Sequence, residues 1–245
     1  MRELDEFEDG LIERFREHPV LANIPLLPDG DFAALLLQRR FVSLAFTPAY
    51  DLAIDLLRDE TGLRIARVIL REEYPDGSGS TRSHREDMKD DLLRLGIPRR
   101  ALVESRPTEA TRRVLDETFE LIADAGRHDD ADLRLLTILR FWGEVLVSVE
   151  YGRLWERMEP LLTQNGENRS RFYYPHHVHD AKAHPLTDAS LLSTTHSDRL
   201  ATRISELLAR GEGSADCFRE TEERALRLKT SFYDQFLPAL ERAPA

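Results

Sequence analysis

Apolar residues recur at spacings of three and four along nearly the whole chain, and nowhere do β-branched residues alternate with polar ones over the length of a strand. That periodicity predicts an all-α protein. A first helix is expected over 2–17, carrying Leu4, Phe7, Leu11 and Phe15 and stopped by Pro19. Asp31 reads as the N-cap of a second helix with Phe32, Leu35, Leu36, Phe41 and Leu44, and Thr47 with Pro48 reads as the start of a third. Gly62 breaks the pattern before a helix over 63–74, which ends in the loop signal Pro75-Asp76-Gly77-Ser78-Gly79-Ser80. Further helices are expected over 83–95, 107–126, 131–163 with a bend at Gly152, 195–210 and 215–240. The His-rich stretch after Pro175 predicts only a short helix, since Pro185 disfavours helical geometry at His184. Neither a repeat nor a charge boundary divides the chain, so 1–245 reads as a single helical domain of about seven or more helices, with 1–30 a peripheral N-terminal helix and loop.

Charge narrows the function classes. The chain carries 45 acidic against 34 basic residues, a formal charge of −11, which argues against nucleic acid or an anionic membrane surface as partner. The longest nearly uncharged apolar run, around Val145–Val149, is too short to span a bilayer, and the acidic N-terminus lacks a secretory signal, so a cytoplasmic location is expected. A lone Cys217 offers neither an internal disulfide nor a thiolate metal cluster. Any metal must therefore be held by His and carboxylates.

Four of the eight His fall between 176 and 184, in His176-His177-Val178-His179-Asp180-Ala181-Lys182-Ala183-His184. Composition alone would put about a third of one His in such a window. On a helix His176, Asp180 and His184 sit on successive turns, and His177, Asp180 and His184 form an alternative, narrower face. Either set offers two imidazoles and a carboxylate, a donor mixture suited to iron, manganese or zinc. Distant segments add candidates: Glu72 and Glu73 at a helix end, His84 beyond the Gly/Ser loop, and Glu144 and Glu150 in the otherwise apolar run of the long helix. An acidic residue in a core-facing stripe is costly unless it is paired or bound to a metal.

Together these segments resemble the haem-oxygenase-like diiron oxidases and oxygenases. Arg71-Glu72-Glu73-Tyr74-Pro75-Asp76-Gly77, then His84, then Leu92-Leu93-Arg94-Leu95-Gly96-Ile97 is similar to that family's E-Y-G-D-G … H … L-x-x-L-G-L signature. Phe172 through His176 and Asp180 resembles its F-x-x-x-H-x-x-x-D-x-x-H element, and Phe232-Tyr233 its terminal aromatic pair. The resemblance covers roughly residues 35–240 and implies six metal ligands, Glu73, His84, Glu150, His176, Asp180 and His184. Pro75 stands where the family has Gly, the stretch from Glu73 to His84 is one residue longer, and the position three after Asp180 is Ala183, which puts His184 one step late. His177 is the alternative first ligand of the His-rich segment and Glu144 the alternative to Glu150.

The resemblance further implies a haem-oxygenase-like bundle holding two Fe(II) ions, with O2 as co-substrate. Its implied activity is oxidation of a small molecule in specialised metabolism, and an aliphatic amino acid is the expected substrate. Desaturation, C–H functionalisation, ring formation and N-oxygenation are the reaction types expected, and a homodimer is compatible with this reading. Phe172, Tyr173, Val147 and Trp142 are the expected apolar wall. The rival readings are an HD-type metal-dependent phosphohydrolase, from the pairs His128-Asp129 and His179-Asp180, a metal-free relative of the thiamin-salvage hydrolases on the same fold, and a non-catalytic helical module.

Overall fold

The computed structural model of the protein describes residues 1–75 and 82–242, so the loop signal from Asp76 on lies outside the described residues. The chain runs α1 (Arg2–Arg16), α2 (Pro19–Ala22), α3 (Asp29–Leu56), α4 (Glu60–Glu72), α5 (His84–Arg94), α6 (Arg99–Glu104), α7 (Glu109–Ala125), α8 (Ala131–Arg140), a π-helical turn (Phe141–Val145), α9 (Leu146–Leu162), α10 (Tyr173–His179), α11 (His196–Ala209), α12 (Ala215–Asp234) and α13 (Leu237–Leu240). Two-residue strands, β1 (Thr163–Gln164) and β2 (Glu167–Asn168), pair in a hairpin over Asn165 and Gly166, both at positive φ. The fold is thus the all-α, single-domain helical bundle that the periodicity predicts.

The rod formed by α8, the π turn and α9 is its axis. Every residue from Leu135 to Ser148 is buried, as expected of a helix enclosed on all sides. Helices α11 and α12 pack on α8, α10 and α1 on α9, and α7 between α3 and α12. Segment 1–30 is less peripheral than expected: Leu11, Phe15, Val20, Leu21 and Ile24 are buried, and α1 lies against α9 and α12.

Three breaks foreseen at proline or glycine fall elsewhere. Pro48 lies inside α3, a single helix whose buried Ala45, Ala49, Tyr50 and Ala53 continue the core face across it. Packing there outweighs the one backbone hydrogen bond that proline removes. Gly62 lies in the first turn of α4, where a Cβ would approach Leu136 Cδ2 to 2.9 Å, so it permits a close helix contact. The irregularity of the long helix is the π turn at Phe141–Val145 and not a bend at Gly152.

Glu150 is a structural tie at the heart of the bundle. It is 0% exposed and accepts hydrogen bonds from Arg39 Nε (2.9 Å, α3), Lys229 Nζ (2.9 Å, α12) and Tyr233 Oη (2.8 Å, α12). Burial opposes its ionisation, but Arg39 and Lys229 outweigh that and keep its pKa below the usual carboxylate range. Removing the charge would leave two buried cations without their carboxylate. Glu150→Gln is therefore expected to lose about 3–5 kcal/mol of stability in urea unfolding; an unchanged midpoint would show that the tie carries no weight.

Candidate metal centre

Five separate pieces of backbone deliver the acidic and imidazole side chains to one place. Glu72 and Glu73 come from the C-terminal end of α4. His84 is the first residue of α5, whose start is fixed by a capping box in which Ser83 and Glu86 satisfy each other's backbone N–H groups. Glu144 sits in the π turn, where an extra residue in the helical turn re-aims side chains, a device frequent at functional sites. His176 lies on α10 with Asp180 as its C-cap, and His196 opens α11.

These residues form two groups, Glu73 with His84 and His176, and Glu144 with Asp180 and His196, and within each group the potential ligand atoms all lie within 4.8 Å of one another. All six line one small cavity of about 170 Å³, together with Glu72 and His179. In the first group His84 Nδ1 is 2.8 Å and His176 Nε2 4.0 Å from Glu73 Oε1, and the two imidazole rings meet edge to face with centroids 4.6 Å apart. His176 Nδ1 donates to the Phe172 carbonyl (2.7 Å), which leaves Nε2 as the nitrogen turned to Glu73. Asp91, wholly buried on α5, accepts from Ser170 Oγ (2.7 Å) and from the backbone N–H of Arg171 (3.1 Å) and Phe172 (2.9 Å). The helix that carries His84 thus also pins the start of the helix that carries His176.

The second group is fully buried. His196 Nδ1 lies 3.3 Å from Glu144 Oε2 and 3.9 Å from Asp180 Oδ1, while its Nε2 is held by Glu72 Oε2 at 3.1 Å. A carboxylate behind an imidazole is the arrangement that orients metal-ligating histidines. Tyr50 Oη donates to the other oxygen of Glu144. Arg140 fixes the start of α11: it pairs with buried Glu8 and donates from Nε to the Ser197 carbonyl (3.1 Å).

Burial and close charge shift the ionisation of these groups. Burial and the facing Glu144 carboxylate push Asp180 well above the usual carboxylate range. Burial opposes protonation of His196, yet hydrogen bonds to Glu144 and Glu72 raise its pKa to about 11. Burial likewise opposes ionisation of Glu73, but His176 and His84 bring it down to about 2. Within this cluster the carboxylates and imidazoles thus shift one another, Asp180 and His196 upward and Glu73 downward. Three carboxylates and three imidazoles make a donor set that fits two divalent ions of the iron, manganese or zinc type.

The structure brings Glu73, His84, His176 and Asp180 together and places the other two expected ligands elsewhere. Glu150 faces Arg39 and Lys229, and Glu144 occupies the position in the cluster. His184 is 54% exposed at its side chain and its Nδ1 faces Asp198 at 2.5 Å, tying the loop before α11 to a residue two places after His196. Pro185 and the end of α10 at His179 take it off the ligand helix. His177 turns away, its Nδ1 on the Ser148 carbonyl (3.0 Å), against Gly152, where a Cβ would come within 2.7 Å of the ring. His196 was not among the expected ligands. It stands alone in Thr194-Thr195-His196-Ser197-Asp198 and reaches the site across an irregular segment whose length no spacing rule interprets. Of the expected apolar wall, Phe172, Val147 and Trp142 line an adjoining cavity, whereas Tyr173 packs behind Tyr151. His128 and Asp129, half of the HD-type reading, lie in an open surface depression with Asp130 and Asp132.

No protein-family model and no curated protein sequence matches the chain. Solved structures do. A CADD-like protein of unknown function from Nostoc punctiforme superposes over 100% of both chains with a TM-score of 0.66 at 12% identity. A TenA family transcription regulator from Silicibacter sp. TM1040 covers 96% of this chain and 95% of its own with a TM-score of 0.61 at 14% identity. At such identities the likeness establishes the fold, a haem-oxygenase-like helical bundle spanning the whole chain.

Proposed function

We propose that the protein is a non-haem diiron enzyme that uses O2 to oxidise a small molecule, with Glu73, His84 and His176 holding one ion and Glu144, Asp180 and His196 the other. The observation that carries this reading is the convergence of these six side chains on one cavity of about 170 Å³. Soluble proteins rarely bury several carboxylates face to face unless a cation belongs between them. With Glu72 at the rim, four carboxylates stand against the four positive charges of two divalent ions. Bound iron would supply the activation of O2 and the oxidising power. The protein's own part is to hold the ions, to orient the substrate and to exclude water.

Several residues suit those tasks. Phe46 and His176 line both the small cavity and the larger one beside it, so a molecule in the larger space lies next to the centre. Trp142, Val147 and Phe172, each less than 9% exposed, shield that space from solvent. Tyr50, buried and hydrogen-bonded to Glu144, holds one carboxylate oxygen in place, and burial next to Glu144 keeps its phenol protonated. An aliphatic amino acid remains the proposed substrate, and the cytoplasm the proposed location; no helix among the described residues is long and apolar enough to cross a membrane.

Anaerobic titration of the metal-free protein with Fe(II) tests this assignment. Wild type is expected to bind two ions per chain, His176→Ala and Glu144→Gln at most one each, and Glu150→Gln, where folded, still two. Binding that survives Glu144→Gln but not Glu150→Gln would reverse the assignment, and no iron binding at all would remove the reading. The loaded protein should then consume O2 in the presence of a small amino acid, whereas metal-dependent phosphate release without O2 would favour the phosphohydrolase.

Proton release is a second expected outcome. The imidazolium of His196 must give up a proton to become a ligand, and the raised pKa of Asp180 adds to the proton release. Calorimetric titrations in buffers of different ionisation enthalpy should therefore show at least about one proton released as the second ion binds, and an affinity that rises with pH. Binding without proton release would place the second ion elsewhere.

A further inference from the structure

Lys182 follows Asp180 by two residues, in the run that stands out for its histidines, yet an ammonium is no metal ligand. Its side chain, 12% exposed, points to α1 instead: Nζ lies 2.7 Å from Glu8 Oε2 and donates to Asp9 Oδ1 at 2.7 Å. One turn earlier on α1, Asp5 accepts the backbone N–H of Leu186 at 2.6 Å. Asp5, Glu8 and Asp9 stand at spacings of three and four. One face of the N-terminal helix thus grips the irregular chain between α10 and α11 at two points.

Glu8 is the hub of this grip. It is 0% exposed and, besides Lys182, takes the Nη1 and Nη2 groups of Arg140 with its two oxygens. Burial opposes its ionisation, but Arg140 and Lys182 outweigh that and keep its pKa below the usual carboxylate range. The other carboxyl beside Arg140, Glu222 at 3.7 Å, is pushed well above that range by burial and by Glu8 itself. Each partner of Glu8 leads to the buried metal group. Arg140 stands four residues before Glu144, and Lys182 two after Asp180. Arg140 Nε also donates to the carbonyl of Ser197, next to His196, and Ser197 Oγ closes the ring by donating to the Ala181 carbonyl at 2.6 Å. The other group is set by different residues, Asp91 and the Ser83–Glu86 capping box.

We propose that Glu8 is a positioning residue for the second group: through Arg140 and Lys182 it sets the segments of Glu144, Asp180 and His196 relative to one another, so that α1 governs how tightly the second ion is held and leaves the first to α5 and α10. The placement of the three segments belongs to the metal-free chain. Its bearing on an ion rests on the reading of the cluster as a diiron centre. Groups that orient metal ligands from behind typically change metal affinity by about 10–100-fold.

Lys182→Met cuts the link to the Asp180 segment and leaves Glu8 and Arg140 as a pair, so it carries the test even where Glu8→Gln fails to fold. In the metal-free protein, hydrogen–deuterium exchange read by mass spectrometry should show that both variants lose protection over 181–198 and keep it over α5, with Lys182→Arg close to wild type. In anaerobic Fe(II) titration the second ion should bind about 10–100-fold more weakly to Lys182→Met and Glu8→Gln, the first with wild-type affinity, and Lys182→Arg should restore both. Glu150→Gln, a change in the same core, keeps both ions, so general loosening does not reproduce this split. Unchanged protection over 181–198, an equal loss over α5, a second ion held as in wild type, or equal weakening of both ions would overturn the proposal. If the wild type takes up no iron, the diiron reading falls by itself, because exchange in the metal-free chain still decides whether α1 sets these segments.

Discussion

A carboxylate taken out of water in a helical core needs positive charge beside it, and the central rod of this protein carries two, Glu144 and Glu150, both essentially inaccessible to solvent. They meet the requirement in opposite ways. Glu150 has fixed partners, Arg39 and Lys229, which tie α3, α9 and α12 together. Glu144 faces another carboxylate, Asp180, beside the His196 imidazole and the Tyr50 hydroxyl, and burial with the facing carboxylate raises the pKa of Asp180. The first arrangement is closed and structural. The second gathers carboxylates and imidazoles face to face, the donor mixture that the proposed function assigns to metal.

The rest of the architecture serves to keep that second arrangement in register. Asp91 couples the helix of His84 to the start of the helix of His176. Arg140, at the last residue before the π turn that contains Glu144, reaches across to the first turn of α11, where His196 lies. His184 and Asp198 close the loop between α10 and α11. The same rod thus sets three of the ligand-bearing segments relative to one another, and its all-round burial makes that setting rigid.

Much of this was legible in the sequence. The three-and-four periodicity predicted an all-α bundle, and the clustering of His around 176–184 pointed to the segment that carries His176 and Asp180. Glu73 and His84 were marked by the resemblance of their segment to the diiron family's signature. The choice between Glu144 and Glu150 was not legible, because it depends on which of them finds Arg39 and Lys229, residues that are distant in sequence. A π turn also shifts the phase of the rod between α8 and α9, and no residue pattern in Phe141–Val145 announces it. His196 was hidden for a different reason. The clustering and the resemblance favoured His184, but the chain leaves the helix at Asp180 and returns only at α11. Proline misled in the other direction at Pro48, where packing carries α3 through.

The central claim is that two metal ions sit between these six side chains. Diffraction from crystals of the protein loaded anaerobically with Fe(II), recorded on both sides of the iron absorption edge, tests it most directly. The account predicts two anomalous peaks about 3–4 Å apart, one within bonding distance of Glu73, His84 and His176 and the other of Glu144, Asp180 and His196. Iron bound at Glu150 or His184, or an iron-loaded crystal with no peak in this cavity, would contradict it.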